Sequence, residues 1–125
     1  MKTVAISAND KDLDARVEPR FGRTRFFVLV DPTTEDWESY DNLANLSSLS
    51  NVGILTAKNL TKNRVVQTVV TGSCGPKAFE ELTGAGVKVF LNARGSVRQA
   101  LSQLRLGELQ EASGPNVPMY GRHER

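Results

Sequence analysis

Four arginines, Arg16, Arg20, Arg23 and Arg25, crowd one short stretch of the chain. A guanidinium presents a fixed fork of donors suited to oxyanions, so the stretch is a candidate anion site; the plainer account is a solvated basic loop. Two glycine-bounded turns add backbone chemistry. Gly72-Ser73-Cys74-Gly75 precedes Pro76, and Asn92-Ala93-Arg94-Gly95 precedes Ser96. Where such turns open helices, free N–H groups and the positive end of the helix dipole favour negative charge. Arg94 and the arginines of the first cluster would close over it.

Other chemistry is thinly supplied. Cys74 is the single cysteine, placed just ahead of a helix start where a thiolate is stabilised; the plainer account is a small residue tolerated in a tight turn. Nucleophilic catalysis would need a base beside it, and the single histidine is His123, far along the chain. One Cys and one His leave a closed zinc site two ligands short. Gly72 to Ala78 superficially suggests a phosphate loop. Its glycine spacing is too short, Pro76 precedes Lys77, and Ala78 stands where a magnesium-binding hydroxyl belongs. Asp10, Asp12 and Asp14 read as a solvated charged segment in preference to a magnesium site.

These residues need a frame. Thr3 to Ser7 reads as a buried first strand, and Asn9 to Arg23, without usable periodicity, as a long loop of a length that is usually functional or disordered. Arg25 to Val30 is a central strand. Turn residues Asp31 to Glu35 bring back a hairpin partner over Asp36 to Tyr40, whose acidic residues suit a sheet edge. Asp41 to Ser50 is a connection, followed by a helix carrying Val52, Leu55 and Leu60. A β-branched strand from Arg64 to Thr71 leads through the Gly72 turn to a helix from Pro76 to near Gly84. Val87 to Leu91 is a further strand. Ser96 and Gln99 form a capping box for the last helix, which Gly107 ends. The alternation in the second half implies parallel strands with right-handed crossovers. A mixed five-stranded sheet with helices on its faces results, and ligands in such sheets collect beyond the carboxyl ends of the strands.

At 125 residues, with 39% hydrophobic, 24% charged and 6% aromatic residues, the chain is long enough for one core and is no disordered segment. We expect one α/β domain over residues 1–111 and a mobile C-terminal tail over 112–125, rich in Gly and Pro. A net charge of +2 argues against a general nucleic-acid binder. The longest apolar run, Phe26 to Val30, cannot cross a bilayer, and the amino terminus turns polar too early for a secretory signal. A cytoplasmic protein is expected.

Several strings, taken together, resemble the dinitrogenase iron–molybdenum cofactor biosynthesis family. They are Lys2 to Ser7, Val17-Glu18-Pro19-Arg20-Phe21-Gly22-Arg23, Val70-Thr71-Gly72 with Gly75 to Phe79, Gly84 to Val89, Gly107-Glu108-Leu109 and Gly114-Pro115-Asn116-Val117. The resemblance spans nearly the whole chain. It implies a ribonuclease H-like α/β/α sandwich whose five-stranded mixed sheet has one antiparallel strand. As a lone domain the chain looks like the small stand-alone carrier branch, the orange proteins, which bind a molybdenum–copper sulfide cluster without a set of cysteine ligands. Implied partners are cofactor-assembly proteins and, in that branch, ATPases of the deviant Walker type.

The expected function is therefore non-catalytic carriage of an anionic molybdenum–sulfur cluster. Arg16, Arg20, Arg23 and Arg94 would supply charge, Gly22, Gly72, Ser73, Cys74, Gly75 and Gly95 the backbone surface and donors, and Phe21 an apolar wall. Cys74 and His123 are the candidate metal ligands. The other reading is a cofactor-free adaptor for an ATPase, with the tail as its contact segment. Hydrolysis of nucleic acid finds no support, because the first strand carries no carboxylate to hold a metal.

Overall fold

A computed structural model describes residues 3–46, 52–62 and 66–116. Five strands, β1 (Thr3–Ala8), β2 (Phe26–Val30), β3 (Trp37–Asp41), β4 (Val66–Val70) and β5 (Lys88–Phe90), form one sheet in the order β3-β2-β1-β4-β5. β1, β4 and β5 are parallel neighbours, and β2 runs against both β1 and β3. One antiparallel strand in a mixed sheet is the expected arrangement. Among the described residues four α-helices accompany it: α1 (Leu43–Leu46), α2 (Val52–Lys62), α3 (Pro76–Gly84) and α4 (Val97–Arg105).

Side-chain alternation decides the layering. Ala5, Phe27, Leu29, Val69 and Val89 face one way and pack with Ala57 and Leu60 of α2 and Ala78 and Leu82 of α3. Val4, Ile6, Val28, Val30 and Val70 face the other and pack with Val97, Ala100 and Leu101 of α4. Both faces of the central strands are covered, which is why β1 and β2 read as nearly unbroken apolar runs. The result is the three-layer sandwich of ribonuclease H-like type.

Local signals set the helix ends. Pro76 takes the first position of α3, after Gly75 in extended conformation. In α4 the Ser96 hydroxyl accepts from the Gln99 N–H while the Gln99 side chain accepts from the Ser96 N–H, which completes the capping box. Arg105 near the end of α4 bonds Glu35 Oε2 at 2.7 Å and also the Pro32 carbonyl, so it ties α4 to the β2–β3 hairpin.

Three segments depart from expectation. Asp41 to Ser50, read as a plain connection, contains α1 and a buried amide chain. Asn42 Nδ2 donates to the Thr24 carbonyl (2.9 Å), Asn45 to Asn42 (2.6 Å) and Asn59 of α2 to Asn45 (2.8 Å). The asparagines satisfy one another inside the fold, so their polarity did not mark a surface. The long loop holds a turn of 3-10 helix at Phe21–Arg23 and single β-bridges from Ala8 to Val17, Arg16 to Ser96 and Arg20 to Ser73. Residues 112–116, assigned above to a mobile tail, lie along the body: Ala112 N–H donates to the Val89 carbonyl at 2.7 Å, and Glu111 bridges Phe90. This arm partners the outer edge of β5. Residues 117–125, with His123, lie outside the described residues.

Candidate functional site

The parallel strands β1, β4 and β5 all end on one rim, and three segments leave them there. The first crosses over the other two. Val17 N–H donates to the Gly95 carbonyl (2.8 Å), Glu18 N–H to Ser7 (3.0 Å), Ser73 N–H to Pro19 (2.6 Å) and Phe21 N–H to Ser73 (3.0 Å). Beneath the crossing, Ser7 Oγ donates to the Glu18 carbonyl at 2.7 Å. A hydroxyl has one proton, so Thr71 must be the donor in its own 2.7 Å contact with Ser7. Gly72 is dictated by this weave, because a Cβ there would lie 2.6 Å from the Pro19 oxygen.

The crossing sorts the expected site residues into two groups. Arg20 and Phe21 join the turn Gly72–Gly75 at Ser73, next to the start of α3, and Gly22 and Arg23 follow them in the chain, with Gly22 against Gly53 of α2. Arg16, Arg94 and Gly95 gather around Ser96, next to the start of α4. Arg16, Arg20, Arg23 and Arg94 are all exposed. Arg20 is 67% exposed and bonds Glu18 through Nε at 3.3 Å, while the other three form no ion pair among the described residues. Arg25 is held elsewhere, on both oxygens of Asp41. A groove of about 510 Å³ flanks α4, lined by Arg94, Gly95, Arg98, Gln99, Gln103 and Glu108 among others; of the expected site residues it takes in only Arg94 and Gly95.

The two helix starts differ as anion sites. Both were expected to offer free amides. At α4 the amides are spent: Val97 N–H donates to Ala15, Arg98 N–H to Leu13 and Gln99 N–H to Ser96 Oγ. That start is closed. At α3 the N-cap Gly75 brings no side chain, and the Lys77 and Ala78 N–H groups have no partner among the described residues. In the turn ahead of it, Ser73 N–H is taken by Pro19 and Cys74 N–H by Asn116 Oδ1 (2.8 Å). Asn116 also donates from Nδ2 to the Gly72 carbonyl (3.0 Å) and from N–H to the Cys74 carbonyl (3.2 Å).

Two expected roles are corrected by burial. Phe21 is 1% exposed and its ring packs on Phe27 at 5.4 Å, so it is core and walls no crevice. The Cys74 thiol is also in the core, and burial pushes it up to about 12. Of the two readings of Cys74, the small residue accommodated in a tight turn fits this burial, and the helix-start thiolate does not. Cys74 is thus a poor ligand as folded. No cluster of three or more His, Cys, Asp or Glu occurs among the described residues. Asp12 accepts from the Asp14 N–H, and Asp14 pairs with Arg98 at 3.1 Å, both exposed, as a solvated charged segment does.

Sequence reasoning missed Asn116 and Pro19 as parts of the rim. The Gly-Pro-Asn string was visible, yet nothing local indicates that it returns to a turn 42 residues earlier.

The family described as dinitrogenase iron-molybdenum cofactor matches residues 2–107. The apo form of the orange protein from Desulfovibrio gigas is 39% identical, with a TM-score of 0.89 over 94% of this chain and 98% of that one. A NifB-like protein from Thermotoga is 31% identical, with a TM-score of 0.76 over 89% and 93% of the two chains. A Methanocaldococcus jannaschii protein at 16% identity and a TM-score of 0.61, over 90% and 96%, shares the fold. No curated protein matches the chain.

Proposed function

The chain belongs to the dinitrogenase iron–molybdenum cofactor family, and from that premise we propose that it is a non-catalytic carrier of an anionic molybdenum–sulfur cluster. The cargo is a molybdenum–copper sulfide, seated over the Gly72–Gly75 turn and the open start of α3. Membership and the likeness to orange protein support a cofactor-binding role at the coarse level. The finer reading rests on one observation: the Lys77 and Ala78 amides have no partner among the described residues, on the side of the crossing where Arg20 meets Ser73.

Such a cluster spreads negative charge over soft sulfur surfaces. Cations and amide donors hold it without many protein–metal bonds, which suits a rim poor in Cys and His. A unit charge pair at 4 Å is worth roughly 1 kcal/mol in bulk water and about 4 kcal/mol at an intermediate dielectric. The guest must therefore exclude water from the rim for the guanidiniums to matter. Arg20 and Arg23 act at short range; Arg16 and Arg94, beyond the crossing, contribute field. An ATPase of the deviant Walker type or a cofactor-assembly protein is the proposed delivery partner. No described helix is long and apolar enough to cross a membrane.

The test is reconstitution of metal-free protein with tetrathiomolybdate and copper. Visible charge-transfer absorption that survives gel filtration is expected, weakened by Arg20→Ala and by high salt. Protein that emerges colourless overturns the reading. Uptake indifferent to salt and to Arg20→Ala removes its electrostatic part.

A further inference from the structure

Among the amides at the starts of α3 and α4 that bond another segment, one is held by a side chain. The Ser73, Val97 and Arg98 amides donate to backbone carbonyls of the crossing segment, and freeing them would unpick the weave. The Cys74 N–H donates instead to a side-chain oxygen, Asn116 Oδ1, on an exposed residue. Asn116 grips the turn at two further points, the Gly72 and Cys74 carbonyls. The Gly72 carbonyl also accepts from the Asn92 N–H at 3.0 Å, so it keeps a partner when Asn116 leaves. The Cys74 N–H has no such reserve. It is the turn amide that can be released with the loop intact, and it adjoins the open start of α3.

We propose that Asn116 is a built-in competitor for the cargo: its carboxamide oxygen occupies the Cys74 N–H that an anionic sulfur takes on loading, so loading unlatches the 111–116 arm. The proposal rests on the carrier reading. A neutral carboxamide is the weaker acceptor here, since hydrogen bonds to ionised acceptors are roughly twice as strong as neutral ones. Displacement also lifts the arm from the edge of β5, where it is anchored by Ala112 N–H on the Val89 carbonyl. The loaded and empty protein therefore differ on a surface that a delivery partner can read.

Two variants separate competition from a structural role, with tetrathiomolybdate and copper as the probe. Asn116→Ala empties the position and is expected to tighten uptake about tenfold, the equivalent of roughly one to two net hydrogen bonds. Asn116→Asp retains an acceptor oxygen and adds a like charge, and is expected to weaken uptake. A merely structural Asn116 would make the Ala variant bind less. Without the probe, the Cys74 amide should exchange faster in Asn116→Ala than in the wild type. Wild-type uptake with equal or weaker binding by Asn116→Ala overturns the competition and leaves the carrier reading standing. Unchanged Cys74 exchange in that variant overturns the latch alone. No uptake by any of the three proteins overturns the carrier reading, and the competition with it.

Discussion

The Pro19 carbonyl oxygen lies 2.6 Å from the point where a Cβ on Gly72 would stand, and that oxygen also accepts the Ser73 N–H at 2.6 Å. The segment after β1 can cross the end of β4 because the crossed residue has no side chain. Gly72→Ala should therefore cost about 1–3 kcal/mol, as overpacking does, and should loosen the rim at Ser73. Gly84, at the end of α3, has nothing within 4 Å of its virtual Cβ. Gly84→Ala should be neutral or gain about 0.4–1 kcal/mol through the unfolded chain. Urea unfolding of both variants checks the contrast; equal effects would mean the crossing is loose in solution.

The Cys74 thiol gives a pH dependence whose sign follows from burial. Its value is raised from 9.0 to about 12, so the unfolded chain loses the proton first. Stability from this group is whole below pH 9 and is lost as the pH rises through about 12. Cys74→Ala should flatten the alkaline limb of a stability profile. The native thiol should also react slowly with iodoacetamide at neutral pH and readily once the protein is unfolded. Rapid reaction of the native protein would place the thiol at the surface.

Glu18 holds the charge of Arg20 in check. Its Oε2 accepts from both the N–H (3.0 Å) and Nε (3.3 Å) of Arg20, with the glutamate side chain 13% exposed. Glu18→Gln removes a negative charge from the rim while retaining an acceptor. Thiomolybdate–copper uptake should strengthen by about two- to fivefold, the range of an exposed ion pair, and the gain should fade in high salt. Titrations at two ionic strengths measure both.

Asn42 is fully buried and is the hub of the amide chain. It serves the Thr24 carbonyl, the Thr56 hydroxyl and the Asn45 amide at once. Asn42→Ala strands all three and should cost about 3 kcal/mol, whereas Asn59→Ala, at the partly exposed end, should cost about 1 kcal/mol. Thermal or urea melts distinguish a shared network from independent bonds.

Much of this architecture was legible because its signals are local. The apolar runs Thr3 to Ser7 and Arg25 to Val30, the Pro76 start and the Ser96–Gln99 box each act within a few residues. The loop after β1 does carry a short pattern: Leu13, Ala15 and Val17 alternate with exposed residues and are buried in the layer that holds α4. A period of two over five residues was there to be found. Phe21 is masked in sequence by Arg20 and Arg23, both exposed and basic, while its own ring turns into the core.

The residues alone determined the element order, the helix caps, the arginine-rich loop and the likeness to a cofactor-handling family. Folding decided which of the promised donors are open. An amide's freedom depends on whether a carbonyl from a distant segment reaches it, and no local pattern carries that information. So α4 has its Val97 and Arg98 amides closed by Ala15 and Leu13, while the Lys77 and Ala78 amides of α3 keep no partner among the described residues. The same long-range contacts sent Cys74 inward and brought Asn116 to the turn, because burial and chain return are properties of the packed whole.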